Sequence, residues 1–125
     1  MRFLLRVAIY NPCSLIQSSR LEEIAGVLDV DLLLLNGTRV REWPDRQYHV
    51  QKLPDRRTAI HFGWRRSPYV TAAGGTCIVL GRRLRREHIA AVTPAPRAIE
   101  GISGDIRIKS GGFDILAATG YLPPL

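Results

Sequence analysis

SSRLEEIAGVLDVDLLLLNGTRV, residues 18–40, carries two periodicities in succession. Leu21, Ile24, Ala25 and Leu28 recur at helical spacing, and Ser19 is followed three residues later by Glu22, the pattern of a capping box. A helix is therefore expected over Ser19 to Leu28. The leucines from Leu32 to Leu35 form a run too short for a helix, and their near-continuous apolarity fits a strand buried on both faces. Upstream, RFLLRVAIYN sets Val7 and Ile9 alternately with Arg6 and Ala8 and ends at the turn dipeptide Asn11-Pro12. Strand, helix and strand in this order predict a βαβ unit. Its parallel pair is Phe3 to Tyr10 beside Asp31 to Leu35, joined by a right-handed crossover.

Beyond Val40 the pattern changes to short strands punctuated by Pro44, Pro54, Pro68, Pro94 and Pro96 and by Gly74, Gly111 and Gly112. The candidates are Tyr48 to Leu53, Thr58 to Trp64, Gly75 to Leu80, His88 to Thr93, Ile99 to Lys109 and Phe113 to Thr119. The fold class expected is α/β, a βαβ start leading into a mostly antiparallel sheet. No repeat, linker or low-complexity tract divides residues 1–125, so they read as a single domain. One helix covers only one face of such a sheet, and the chain stops at YLPPL with no second helix in view. A bare apolar sheet face, self-association through it, and a chain cut short are the expectations that follow.

The bulk numbers fit an ordinary globular protein: 125 residues, 46% hydrophobic and 23% charged. Arg6 interrupts the N-terminal apolar stretch, and no small-residue cleavage site follows it, which argues against a secretory leader. The Leu32 to Leu35 run cannot cross a bilayer, so no membrane partner is expected. Cys13 and Cys77 lie far apart, with neither a metal-ligand spacing nor a redox-pair spacing. Two unpaired thiols suit a reducing, intracellular setting, cytoplasmic or nuclear.

Charge is lopsided, with 18 basic residues against 11 acidic and a net of +7. Most of the basic residues are arginine, whose planar fork pairs with phosphate oxygens, so nucleic acid is the partner to consider. The densest cluster is GRRLRREH, where Arg82, Arg83, Arg85 and Arg86 surround Leu84. It is equally readable as a solvated loop or edge.

Five stretches in order, AIYNP, RLEEIAGVLDVDLLLL, NGTRV, GGTCIVL and FDILAATGYLPP, resemble the landmarks of the endonuclease/exonuclease/phosphatase superfamily. The likeness is nearest to the endonuclease domain at the front of non-LTR retrotransposon polyproteins. It covers nearly the whole chain and the N-terminal half of the family's domain. The resemblance implies one half of a four-layered α/β sandwich. It also implies an ancestral activity, phosphodiester hydrolysis of DNA with a divalent metal, usually Mg2+.

Such chemistry needs a metal to neutralise the phosphoryl oxygens, a base to make hydroxide, and donors to hold the phosphate. By resemblance, Asn11 matches the asparagine that ends the first strand beside metal and phosphate, and its carboxamide can both accept and donate. Asn11-Pro12 is also simply a turn. Tyr121 matches a phosphate-facing tyrosine before a proline, and could equally be a surface residue closing a sheet. Where the family carries glutamine, glutamate, threonine and a basic residue, this chain reads Asn36-Gly37-Thr38-Arg39. Thr38 and Arg39 match, while Gly37 stands where the metal's main carboxylate belongs and offers a hard cation no side chain. Asp29 and Asp31 precede the strand and Glu42 lies past the turn, so they are poor substitutes. The family's remaining groups, an aspartate and asparagine pair and an aspartate-histidine dyad, lie in its C-terminal half.

His49, His61 and His88 have no carboxylate at a partner spacing and are expected to be structural. No metal is expected to bind this chain. Two functions follow: a truncated, catalytically incomplete retroelement endonuclease, or a non-catalytic basic module that binds nucleic acid or docks in an assembly. The phosphate contacts would come from Arg39, Arg82, Arg83, Arg85 and Arg86.

Overall fold

The structure, a computed structural model, describes residues 4–15, 19–65, 74–97 and 100–120. The βαβ start is present: β1 (Val7–Tyr10), α1 (Arg20–Leu28) and β2 (Leu32–Asn36). β1 and β2 are parallel, with Val7 opposite Leu32 and Tyr10 opposite Leu35. The strand starts later than its apolar pattern suggests, because Arg6 is held by the turn ahead of β2. There its backbone N–H donates to Asp31 Oδ2 at 2.8 Å, and its carbonyl accepts from Asp31 and Leu32.

The capping box does not form. Ser19 has helical dihedrals and its side chain makes no capping hydrogen bond. Its carbonyl accepts the first helical bond, from the Glu23 N–H, and its hydroxyl turns toward Glu23 Oε1 at 3.4 Å rather than to a backbone N–H of the first turn. An N-cap residue must leave the helical region for its oxygen to reach the free N–H groups of the first turn. The helix forms without the cap because Leu21 and Ala25 are buried on the sheet.

The remaining strands are antiparallel: β3 (His49–Lys52), β4 (Thr58–Phe62), β5 (Thr76–Leu80), β6 (Ile89–Pro94), β7 (Ser103–Ser110) and β8 (Phe113–Gly120). Five strands make a mixed sheet in the order β1-β2-β5-β4-β3, and β6-β7-β8 make a separate antiparallel sheet. Alternation along the central strands divides the core in two. Leu33 and Leu35 of β2, Ala59 of β4, and Cys77 and Val79 of β5 pack with α1. Leu32, Ile60, Ile78 and Leu80 pack against Ile106, Ile108 and Ala117 of the second sheet. Each strand residue goes to one layer or the other because neighbouring side chains leave opposite faces. The layers are helix, mixed sheet, antiparallel sheet.

This corrects the expected bare sheet face. The strands from Ile89 onward do not extend the first sheet; they fold over it and cover the side α1 leaves open. The two sheets approach closely at Gly104, where a Cβ would lie 2.4 Å from the Phe62 ring. Exposed apolar side chains gather on the edge strand β1, where Val7 is 50% and Ile9 72% exposed beside Leu4 at 72%; Val27 of α1 and Leu116 of β8 are exposed as well.

Candidate functional site

The two ends of the mixed sheet carry different chemistry. At the end where β1 and β2 finish, the structure brings Asn11 and Gly37 together: a Cβ on Gly37 would lie 2.8 Å from Asn11 Oδ1. The Asn11 side chain is engaged locally, its Oδ1 accepting from the Cys13 N–H at 2.9 Å. Gly37 sits at φ +76°, in the left-handed region, and its N–H donates to the Gly75 carbonyl. Thr38 is fully buried and donates its N–H to the same carbonyl. The junction therefore has a defined shape held by backbone hydrogen bonds. Tyr121 lies outside the described residues; the residue before it, Gly120, accepts from Asn36 Nδ2 at 3.5 Å.

Glu42 is engaged with other residues. Its N–H donates to the Trp64 carbonyl, and its carboxylate lies close enough to Glu100 to help push the Glu100 carboxyl up. Burial is the larger cause of that rise, partly offset by Arg97, whose Nη1 sits 3.2 Å from Glu100 Oε2. Among the described residues no group of three or more histidines, cysteines, aspartates and glutamates is placed to hold a metal ion.

The arginines separate. Arg39 follows β2 at the Asn11 end. Arg82 to Arg86 follow β5, which runs antiparallel to β2 with Leu80 opposite Leu32, so they emerge at the other end of the sheet. There the loop 81–88 meets the β3–β4 turn. Two of its arginines are structural in part. Arg83 makes a forked pair with Asp31 at 2.8 and 2.6 Å and also donates to the Leu4 carbonyl. Arg82 shares Asp29 with Arg57, at 3.2 and 2.7 Å. The hydrogen bonds from these arginines hold the Asp29 and Asp31 carboxyls below the usual carboxylate range.

Arg85 and Arg86 project differently. With Arg82, Lys52, Arg56 and Arg57 they line a cleft of about 560 Å³ whose one acidic lining residue is Glu87. The adjoining cleft is nearly balanced, with Asp29, Asp31 and Asp55 facing Arg6, Arg56, Arg82 and Arg83. Lys52, Arg56 and Arg86 make no ion pair with another described residue. Leu84, fully buried among the β-sandwich residues, anchors the loop that presents these charges. Of the residues lining this cleft, Arg82, Arg85 and Arg86 were singled out in the sequence, while Lys52, Arg56 and Arg57 were not. For Arg56 and Arg57 the available signal was the basic turn PDRRT, residues 54–58; Lys52 precedes it.

The histidines are structural. His61 is 6% exposed; burial, aided by nearby His49, lowers its pKa to about 4. Its Nε2 lies 2.7 Å from Gln51 Oε1, which makes Nε2 the protonated nitrogen, while Nδ1 has no hydrogen-bond partner. His49 stacks on Trp43 with ring centroids 4.8 Å apart, and His88 meets the Phe113 ring edge-on. Cys77 is buried, which pushes its thiol up, and Cys13 is exposed; both are free.

Comparison of the chain with protein-family models, with curated proteins and with solved structures returned no match.

Proposed function

We propose that this chain is a non-catalytic nucleic-acid-binding module, built on the first half of an endonuclease/exonuclease/phosphatase-like fold that has lost its metal chemistry. The observation that carries the reading is the cleft between the β3–β4 turn and the loop 81–88, lined by six basic side chains, of which Arg57, Arg82 and Arg85 are ion-paired while Lys52, Arg56 and Arg86 make no ion pair with another described residue. A cleft lined by one sign of charge raises the local concentration of a polyanion, and each phosphate it neutralises releases counterions. The loss of metal chemistry is inferred from Gly37, which supplies no carboxylate beside Asn11. DNA or RNA in a reducing compartment suits the two free thiols. No helix among the described residues is long and apolar enough to cross a membrane.

The test is fluorescence anisotropy with labelled oligonucleotides across a salt series. Binding that weakens linearly in log salt is expected, reduced by Arg56→Glu with Arg86→Glu and unaffected by Arg39→Glu at the opposite end. Equal loss from all three changes would make the binding diffuse charge attraction and remove the cleft from the account. Magnesium-dependent cleavage of DNA by the chain, abolished by Asn11→Ala, would overturn the non-catalytic reading.

A second reading, self-association, is favoured by one observation. Val7 and Ile9 are exposed on an edge strand whose outer hydrogen-bonding groups face no other strand of the sheet. Such an edge is complementary to another copy of itself.

A further inference from the structure

The charged cleft runs on into an aromatic surface. It shares Val50 and Arg86 with a more open depression of about 770 Å³ that is also lined by Tyr48, His49, Arg97 and the ion pair of Arg46 with Asp45. Val50 and Lys52 are alternate residues of β3, the edge strand of the mixed sheet, and share one face, and Tyr48, just before the strand, lines the same depression as Val50. At the usual rise they span about 13 Å. Basic groups flank this row, Arg97 in the open depression and Arg56 in the cleft, with Arg86 lining both.

Tyr48 is 37% exposed, and no described residue hydrogen-bonds its phenol. Beside it His49 is fixed in a stacked pair with Trp43, their planes 27° apart, and Arg46 Nη1 lies 3.4 Å from His49 Nδ1. Arg46 and Arg97 are paired with Asp45 and Glu100, while Arg86 makes no ion pair with another described residue, so the exposed ring and this cation together offer one apolar and one charged surface. A duplex turns its bases inward and offers this surface only phosphate. An unpaired nucleotide offers both a π face and a phosphate, and base stacking on aromatic side chains is the common device of single-strand binders.

Resting on the nucleic-acid reading above, we propose that the ligand is a single strand. An unpaired base stacks on Tyr48 while the adjoining phosphates run past Arg86 into the cleft of Lys52 and Arg56. Single-stranded DNA and single-stranded RNA share this chemistry; a 2′-hydroxyl contact would separate them.

The experiment measures anisotropy of the full chain with a labelled 15-nucleotide oligo-dT, the matching oligo-U, and the duplex of the same dT strand. Tighter binding of the single strands than of the duplex is expected. Tyr48→Ala should weaken single-strand binding about tenfold and leave both duplex binding and the thermal midpoint unchanged. Tyr48→Phe, which keeps the ring, should restore it. Arg86→Ala should instead lower the single-strand salt slope by about 0.7, the share of one phosphate contact. An oligo-U preference over oligo-dT assigns the site to RNA, and equal affinity assigns it to either strand. Duplex binding equal to single-strand binding, or single-strand binding indifferent to Tyr48→Ala, overturns the proposal while the cationic cleft stands. Absence of binding to all three probes overturns the nucleic-acid reading itself.

Discussion

At the scale of single residues, function and fold turn on whether a side chain has a partner. Gly37 accepts its position only because it lacks one: at φ +76°, any L side chain is strained, and its Cβ would press on Asn11 Oδ1. Gly37→Glu is therefore expected to destabilise the chain by about 1–2 kcal/mol in urea melts and to confer no magnesium-dependent cleavage of DNA. His61 gives a pH signature of its own. Its folded pKa of about 4 lies below the ordinary 6.5, so between those values the unfolded chain binds a proton that the folded chain refuses. Stability should be fully present above pH 6.5 and fall toward pH 4, by an amount on the order of 3 kcal/mol. His61→Gln should flatten that window in urea midpoints measured from pH 4 to 7. Asp29 and Asp31 act in a lower window, because lowered carboxyl pKa values give stability that is lost only as pH falls below the usual 3.8.

At the scale of elements, the loop 81–88 is locked by one arginine and left open by others. Asp31 is 4% exposed and its carboxylate is met by the Arg6 N–H and the Arg83 guanidinium. Arg83→Ala would leave that buried carboxylate underpaired. A loss of about 1–3 kcal/mol is expected, with Arg86→Ala nearly neutral in the same denaturant assay. Gly104 is the other element-level constraint. Phe62 lies against its bare backbone where the two sheets meet, so Gly104→Ala should cost about 1–3 kcal/mol through overpacking, read as a lowered thermal midpoint. Elements were also the scale at which sequence was most legible. Each of the strand segments anticipated after Val40 contains a strand, displaced at its ends by up to a few residues. The helix needed no cap to be recognised, since its apolar spacing reports the burial that forms it. Ser19 was misread because a capping box is a statement about dihedrals, which the letters S-x-x-E do not specify.

At the scale of the whole molecule, exposed apolar side chains cluster at Leu4, Val7 and Ile9 along the β1 edge, with Val27 on α1 and Leu116 on β8 exposed singly. Ile9→Lys should lower any concentration-dependent light scattering of the chain, because a charge on an edge strand opposes pairing with a second copy. Unchanged scattering would place association elsewhere. Local pattern by itself determined the βαβ start, the buried run Leu32 to Leu35, the succession of short strands, the basic excess and the glycine at position 37. These are set by neighbours in the chain: periodicity of 2 or 3.6, turn residues, and side-chain identity. Only the tertiary structure decided that β6 to β8 form a second sheet over the first, and that Arg39 stands at one end of the molecule and Arg86 at the other. It alone joined Lys52, Arg56 and Arg86 into one cleft beside Tyr48. Strand order and the meeting of distant turns depend on which faces bury each other, a property of contacts between segments far apart in sequence that no local pattern encodes.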